Sequence, residues 1–342
     1  MTTSTIVGVL LVALAGLLTG SGSWPFKLMR QFRFEHWFFV GMVVGLWILP
    51  WAITLLFCPR PFEAYATVPR SALIVSNLFA TGWGIANVLC GLCFVRIGVA
   101  LTGAILTGLG VSVGVALPMI FKGTGKFQNA PDLGSPASRW ILGGVAVMLV
   151  GVVAAAMAGF GRDRILQKRQ ERSGEFLGGL IMTVIAGVLS CGMALAFVYS
   201  QGPVVEAMTK NGAGHIAANF AVWAAGLFGG ALVNVLYPAY LLSRNKSWGV
   251  LTQSWKELAL SVLIGLNLIL AVSMMGLGML MVGALGASVG FGIQQAMQIV
   301  GGQGLGFISG EWRGISGRPR RQMYAAIGII LVAAVLMALG SR

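Results

Sequence analysis

The stretch RDRILQKRQERSGE, residues 162–175, decides the fold, because five long apolar runs precede it and five follow it. Each run is close to the roughly 20 residues with which an α-helix crosses a bilayer. We therefore predict an all-α integral membrane protein with ten transmembrane helices. Two inverted five-helix repeats, residues 1–161 and 176–342, are joined by a basic cytoplasmic linker at 162–175. The runs lie near 5–20, 35–57, 71–94, 97–121, 138–161, 176–201, 212–242, 255–275, 277–309 and 322–339.

Composition independently places the chain in a bilayer. Hydrophobic residues make up 57% of the 342 residues and charged residues 9%, with a mean hydropathy of +0.87. A soluble globular domain usually carries about 25% charged residues. The net charge of +14 is also seen in nucleic-acid-binding proteins, but here the basic residues lie in loops between the runs, where they set membrane orientation. We expect membrane lipids as partners and no nucleic acid.

The loop charges predict the orientation of the chain. Loops that follow the odd-numbered runs contain 16 of the 23 Lys and Arg residues. Cytoplasmic loops carry the excess of positive charge, so these loops should face the cytoplasm and both termini the periplasm of a bacterial inner membrane. The first run lacks a basic region before it and a clear cleavage site after it, so we expect a retained helix.

A faint internal echo supports the two-half arrangement. LAGLLT at 14–19 resembles IAGVLS at 185–190, each in the first helix of its half. Because each half has an odd number of helices, a duplicated half would be inserted upside down. Inverted repeats are typical of secondary transporters, whose substrates bind near the bilayer midplane at the repeat interface. The pattern predicts a transporter with a central site.

Polar residues inside the runs predict a neutral ligand. None of the nine carboxylates lies in the middle of a run, where a cation pump would place one. Amides donate and accept hydrogen bonds, which suits sugar hydroxyls, and indole rings can stack on sugar C–H faces. The alternatives are amides that only join helices and Trp residues that anchor the interface. The predicted substrate-binding residues are Trp24, Trp83, Asn87, Asn219, Trp223, Asn267, Gln294, Gln295 and Gln298, with Gln294 and Gln298 on one helix face at i and i+4.

Small residues in the fifth run predict close helix packing. The run contains Gly143, Gly144 and Gly151. Such residues let helix backbones approach closely in membranes. The pattern leaves open whether the partner is another helix of the same chain or a second copy, as in a homodimer formed through the fifth and tenth helices.

Several ordered motifs identify a family resemblance. They are WPFK at 24–27, WILPW at 47–51, WGIAN at 83–87 followed by GL at 91–92, RIG at 96–98, and EW at 311–312 with GRP at 317–319. Together they resemble the L-rhamnose–proton symporters of the drug/metabolite transporter superfamily, inner-membrane proteins with ten helices, over nearly the whole chain. The resemblance implies uptake of L-rhamnose or a related neutral monosaccharide with a proton. The eighth and ninth runs are poorer in aromatic residues than the family pattern, which leaves the identity of the sugar open.

Four residues near helix ends are the candidates for proton coupling: Glu35, His36, Glu206 and His215. Histidine titrates near neutral pH, whereas a carboxylate needs desolvation to raise its pKa. Glu35 and Glu206 coincide with acidic positions in the resembling family. The alternative for each residue is an interfacial polar group or a charge at a helix end.

Two further classes of function are weighed against proton-coupled import. The first is a facilitator or exporter of another small neutral metabolite, which would need no carboxylate in the middle of a membrane run. A membrane-embedded enzyme is disfavoured, because the chain has two histidines and no acid/base pair or metal-ligand cluster. We therefore expect no catalytic residue, metal or cofactor.

Overall fold

The computed structural model describes residues 3–22, 24–96, 99–120, 132–165, 173–283 and 289–340. This part of the chain is almost entirely helical and contains no strand, which confirms the all-α prediction. Its α-helices are α1 (Thr3–Ser21), α2 (Phe34–Met42), α3 (Leu49–Phe57), α4 (Pro61–Thr67), α5 (Arg70–Arg96), α6 (Val99–Ile120), α7 (Pro136–Ile165), α8 (Ser173–Ser190), α9 (Gly192–Lys210), α10 (His215–Ala221), α11 (Phe228–Arg244), α12 (Trp255–Val282), α13 (Phe291–Ile308) and α14 (Arg318–Leu339).

Several of these helices are long and apolar enough to cross a membrane. Seven spans meet that description in the described residues, and α10 with α11, bent by 59°, would make an eighth. The fourth and ninth predicted runs are occupied by α6 and α13. The prediction of a multi-pass helical membrane protein is therefore confirmed. Of the predicted linker, 166–172 lie outside the described residues, between the end of α7 and the start of α8.

Two predicted helix ends are wrong. The sixth helix does not end at Gln201 but continues through Pro203 to Lys210, because the Gln201 side chain is buried and hydrogen-bonded rather than solvated. The eighth helix does not stop at 275, since α12 runs to Val282. It ends where Gly283 adopts φ +80°, a left-handed conformation that commonly terminates helices.

The chain forms two compact units. The first consists of Met1–Gly20, Ala86–Cys191 and Gly278–Arg342. Within it α7 packs along α14. A Cβ at Gly144 would lie 2.6 Å from Met337 Cγ, and one at Gly151 would lie 2.6 Å from Ile330 Cγ1. These two glycines of the fifth run therefore pack against a helix of the same chain.

The second unit consists of Ser21–Ile85 and Gly192–Leu277. Two of its helical segments contain π-helix: Val43–Ile48 joins α2 to α3, and Val222–Gly226 follows α10. A π segment carries an extra residue per turn and occurs frequently at functional sites. The second π segment is followed by Leu227 and the 59° bend into α11.

A close backbone crossing joins the first π segment to α12 in the second unit. A Cβ at Gly45 would lie 2.7 Å from the carbonyl oxygen of Gly265, and one at Gly265 would lie 2.6 Å from the carbonyl oxygen of Gly41. Side chains of any size would force these backbones apart. Gly45 and Gly265 thus set the spacing at this crossing.

Candidate functional site

The break between α10 and α11 is bridged by a single amide side chain. Asn77, on α5, donates from Nδ2 to the Ala225 carbonyl at 2.8 Å and to the Leu73 carbonyl at 2.8 Å. Its Oδ1 accepts from the Gly229 N–H at 2.7 Å. Backbone groups freed by a helix break are costly in an apolar setting unless something satisfies them. Asn77 does so on both sides of the break.

Two side-chain hydroxyl groups form hydrogen bonds to other backbone carbonyls near the same break. Ser76 Oγ lies 2.5 Å from the Gly226 carbonyl oxygen and 2.9 Å from that of Ala196. Tyr65, on α4, donates its hydroxyl to the Ala221 carbonyl at 2.7 Å. Burial raises the pKa of Tyr65, so the phenol stays protonated and can donate at any physiological pH. Hydrogen bonds from neighbouring side chains therefore stabilise the non-helical backbone at the break.

An open groove of about 310 Å³ lies beside the break and is lined by Trp51, Asn77, Ala224, Ala225 and Phe228. Phe228 stacks on Trp47, with ring centroids 5.8 Å apart and ring planes at 8°. The volume of the groove lies at the lower end of the range of small-molecule sites, about 300 to 1,000 Å³. Aromatic walls beside an amide side chain suit a small polar ligand with apolar faces.

A buried polar network lies in the same unit. Gln201 Nε2 donates to Asn219 Oδ1 at 3.1 Å and to the Gly276 carbonyl at 2.8 Å. Asn219 Nδ2 donates to the Ser273 carbonyl at 3.1 Å. The network joins α9, α10 and α12. Asn219 therefore bonds neighbouring helices, as in the alternative interpretation in which the buried amides only join helices. The Ser273 hydroxyl is buried and has no hydrogen-bond partner among the described residues.

The predicted indoles Trp83 and Trp223 lie together. Their rings meet edge to face at 6.2 Å, and Trp223 meets Phe197 in the same way at 5.1 Å. Trp223 is 2% exposed, and its indole N–H, like that of Trp47, has no acceptor among the described residues. Buried N–H donors without an acceptor are uncommon in proteins, so the indole N–H groups of Trp47 and Trp223 are unusual.

The predicted glutamine pair lies in the first unit. Gln294 Nε2 donates to Gln298 Oε1 at 3.1 Å and approaches Thr19 Oγ1 at 3.5 Å, as their spacing on one helix face predicts. Gln294 is 2% exposed, and its Oε1 has no partner in the part of the chain described. Helix α1 approaches α13 closely at Gly16 and Gly20, where an added Cβ would overlap the Gln294 and Gln298 carbonyl oxygens.

The other predicted sugar-binding residues occupy varied positions. Gln295 is buried beside Gln294, Asn87 and Asn267 are half-buried, and Trp24 is exposed in a short 3-10 helix. None of the nine predicted residues lines the groove at the helix break, although Trp223 directly precedes Ala224 in the chain. Of the predicted residues, Trp83 and Trp223 meet in the second unit, and Gln294 and Gln298 meet in the first.

Two of the four proton-coupling candidates are buried. Glu35 accepts a hydrogen bond from Asn245 Nδ2 at 3.1 Å. His36 Nδ1 accepts from the Arg33 N–H at 3.1 Å, so Nε2 carries the proton and faces the Ser247 carbonyl at 3.3 Å. Both contacts of His36 are thus satisfied by a neutral ring.

The other two candidates are exposed. Glu206 pairs with Lys210 at 2.7 Å, one turn further along the same helix. It lies within α9 rather than after the sixth helix, because that helix is longer than the apolar run. His215 is the first residue of α10 and is exposed.

Sequence reasoning missed Glu257, in the first turn of α12. Its carboxylate is 6% exposed and accepts hydrogen bonds from the backbone N–H groups of Arg30, Gln31 and Phe32 at 2.7 to 3.2 Å. It therefore fixes the segment that leads into α2. The sequence offered one signal, an acidic residue at the start of an apolar run. Asn77 is an amide of the third apolar run, like the predicted Asn87, but it is not among the predicted site residues.

Comparisons with a family model and with known proteins point to the same family. The family model for the L-rhamnose-proton symport protein matches residues 1–342. L-rhamnose-proton symporters of Yersinia pestis bv. Antiqua (strain Antiqua) and Yersinia pseudotuberculosis serotype O:1b (strain IP 31758) are each 29% identical over 228 residues. The aligned segment covers 66% of this chain and 64% of each relative, slightly less than two thirds of the relatives' length.

Proposed function

Because the chain belongs to the L-rhamnose-proton symport protein family, we propose that it is a secondary transporter that imports L-rhamnose or a related neutral monosaccharide with a proton. The observation that carries the proposal is the broken helix whose freed backbone groups are bridged by Asn77. Secondary transporters build their binding sites from interrupted helices of this kind. The protein would work by alternating access in the bacterial inner membrane.

In this proposal the groove at the helix break receives one face of the sugar. Trp51 and Phe228 offer aromatic surface to its C–H groups, and Asn77 is the polar side chain among the lining residues. Trp223 directly precedes the lining residue Ala224 and retains an indole N–H without an acceptor among the described residues. Within the first unit, Gln294 and Gln298 remain proposed sugar-binding residues in their own right.

We also propose ten spans in two inverted repeats, with both termini in the periplasm. The π segments support the repeat, because each interrupts the second predicted helix of its half, at Val43–Ile48 and Val222–Gly226. The excess of basic residues in the odd-numbered loops supports the orientation. Labelling of single cysteines placed at each terminus in intact cells would test it.

The test of function is uptake of labelled L-rhamnose into proteoliposomes. An inward proton gradient should drive accumulation, and a protonophore should abolish it. Among the four candidates we propose Glu35 as the proton carrier, because it alone combines burial with a single amide partner. Glu35→Gln should lower gradient-driven uptake at least about tenfold while sugar exchange persists, and Glu206→Gln, at an exposed ion pair, should leave uptake unchanged.

The outcomes of this assay separate the alternatives. Accumulation of a different monosaccharide would keep the mechanism and change the substrate. Exchange without any response to the proton gradient would replace the proposal with a facilitator. Full activity of Glu35→Gln would remove Glu35 from proton coupling.

The glutamine pair gives a separate prediction about sugar affinity. Gln294→Ala removes a buried amide, and one hydrogen bond to a ligand contributes about 1 kcal/mol, so the Kd for the sugar should rise about fivefold to tenfold. The measurement is thermal stabilisation of the purified protein across a sugar titration. Gln303→Ala, on the same helix, is the control. Equal stabilisation of both variants would exclude Gln294 from the sugar site.

A further inference from the structure

The first unit contains a stack of three aromatic rings with two guanidinium groups beside it. Phe307 is sandwiched between Trp312, at 5.1 Å and 20°, and Tyr324, at 5.0 Å and 14°. Arg162 lies 5.5 Å from the centre of the Trp312 ring, and Arg320 lies 5.7 Å from that of Tyr324. We call Phe307, Trp312, Tyr324 and the two arginines the aromatic stack.

The stack fixes the loop between α13 and α14. Trp312 is 2% exposed and packs with Ala158, Ile315 and Met323. Arg320 Nε donates to the Tyr324 hydroxyl at 3.0 Å, which occupies one of the five N–H groups of its guanidinium. Arg313 lies in this loop, and Arg318, Arg320 and Arg321 lie in the first turn of α14, next to the stack.

The charges around the stack are unbalanced. Glu311 is paired with Arg162 at 3.2 Å. Arg313, Arg318, Arg320 and Arg321 are exposed and form no ion pair with a carboxylate among the described residues. Four guanidinium groups within nine residues thus have no acidic partner in the described chain, although each is a strong bidentate donor to phosphate.

Exposed apolar surface borders these arginines. Ile308 is 86% exposed and Tyr324 is 51% exposed, at the end of α13 and in the second turn of α14. Helix α14 is one of the helices long and apolar enough to cross a membrane. A basic cluster beside exposed apolar side chains at the start of such a helix matches the layer in which lipid phosphates meet acyl chains.

From this arrangement we propose that Arg313, Arg318, Arg320 and Arg321 form a binding site for the phosphate of an anionic phospholipid. Arg313 and Arg321 are free to bind phosphate oxygens, while Arg320 is oriented by the aromatic stack. Ile308 and Tyr324 would contact the acyl chains. The site shares no residue with the groove or the glutamine pair, and it requires only that the protein lies in a membrane.

The test is binding of phosphatidylglycerol to the full-length protein in detergent, measured by native mass spectrometry, with phosphatidylcholine as the neutral lipid. Phosphatidylglycerol should be retained preferentially. Arg313→Gln/Arg321→Gln should weaken its binding about thirtyfold, since each basic side chain near an anionic surface contributes about fivefold. The matched control is Arg70→Gln/Arg139→Gln, which removes the same charge from other exposed positions.

Three results would overturn the proposal: equal retention of both lipids, equal loss in the control pair, or displacement of the lipid by millimolar inorganic phosphate. Arg313→Lys/Arg321→Lys keeps the charge and should retain part of the affinity. If this variant binds as weakly as the Gln variant while keeping the parent melting temperature, the guanidinium geometry is required. Sugar uptake is not the readout, so failure of the proposed transport function would leave the test intact.

Discussion

Asn77→Leu is expected to reduce sugar uptake to below about a tenth and to lower the free energy of unfolding by about 2 to 5 kcal/mol. Leucine has a similar size but neither donates nor accepts hydrogen bonds. The change leaves the Ala225 carbonyl and the Gly229 N–H, on either side of the helix break, without their side-chain partner. Each unsatisfied buried group costs about 1 to 3 kcal/mol. Initial uptake rates and the melting temperature of purified protein measure the two effects.

Thr81→Val is the matched control for this change. Thr81 lies one turn along the same helix and donates only to the Asn77 backbone carbonyl, at 2.8 Å, which belongs to the helix itself. Its loss should change uptake less than about twofold. If Asn77→Leu behaved like Thr81→Val, the helix break would not depend on Asn77 and its place in the proposed site would be lost.

Gly265→Val is expected to destabilise the protein by at least about 3 kcal/mol. Its Cβ would lie 2.6 Å from the Gly41 carbonyl oxygen and 3.1 Å from the Gly45 nitrogen, and backbone atoms cannot move aside as a flexible side chain can. Overpacking of this kind usually costs about 1 to 3 kcal/mol, and the two further methyl groups of valine add to it. We expect a lower melting temperature and less folded protein in the membrane.

Gly328→Ala provides the comparison. Gly328 lies inside α14 with no atom within 4 Å of an added Cβ. Alanine is a better helix former than glycine by about 1 kcal/mol in solution, so this variant should be at least as stable as the parent. A similar loss of stability in both variants would show that the crossing at Gly265 is not the cause.

Helix class and approximate helix positions could be predicted from the sequence because each depends on a local apolar run. Helix ends were harder where a polar residue is buried. Gln201 looked like the end of a membrane run, yet its amide is satisfied by Asn219 and Gly276 from distant parts of the chain. The end of α12 depends on the backbone conformation of Gly283, which nothing distinguishes from its helical neighbours Gly276 and Gly278 in the sequence.

The candidate site was predictable only in its chemistry. The amides and indoles named from the sequence are largely buried. Apart from the Gln294 to Gln298 bond within one helix, the partners described above come from other helices and leave no local signal. The break at Leu227 has no proline beside it, since Pro238 lies further along α11. It is stabilised instead by Asn77, some 150 residues earlier in the chain, as the Asn77 to Gly229 hydrogen bond shows. Tertiary contacts of this range cannot be read from periodicity.

The shape of the groove depends on the number of residues in the π segment at Val43–Ile48. Deleting any one of its six residues would allow an ordinary α-helix to form, which turns successive residues by about 100°. Trp51 would then turn relative to Trp47 and Phe228 and away from the groove, which it now lines. This stretch should therefore tolerate many replacements of comparable size and yet no change of length.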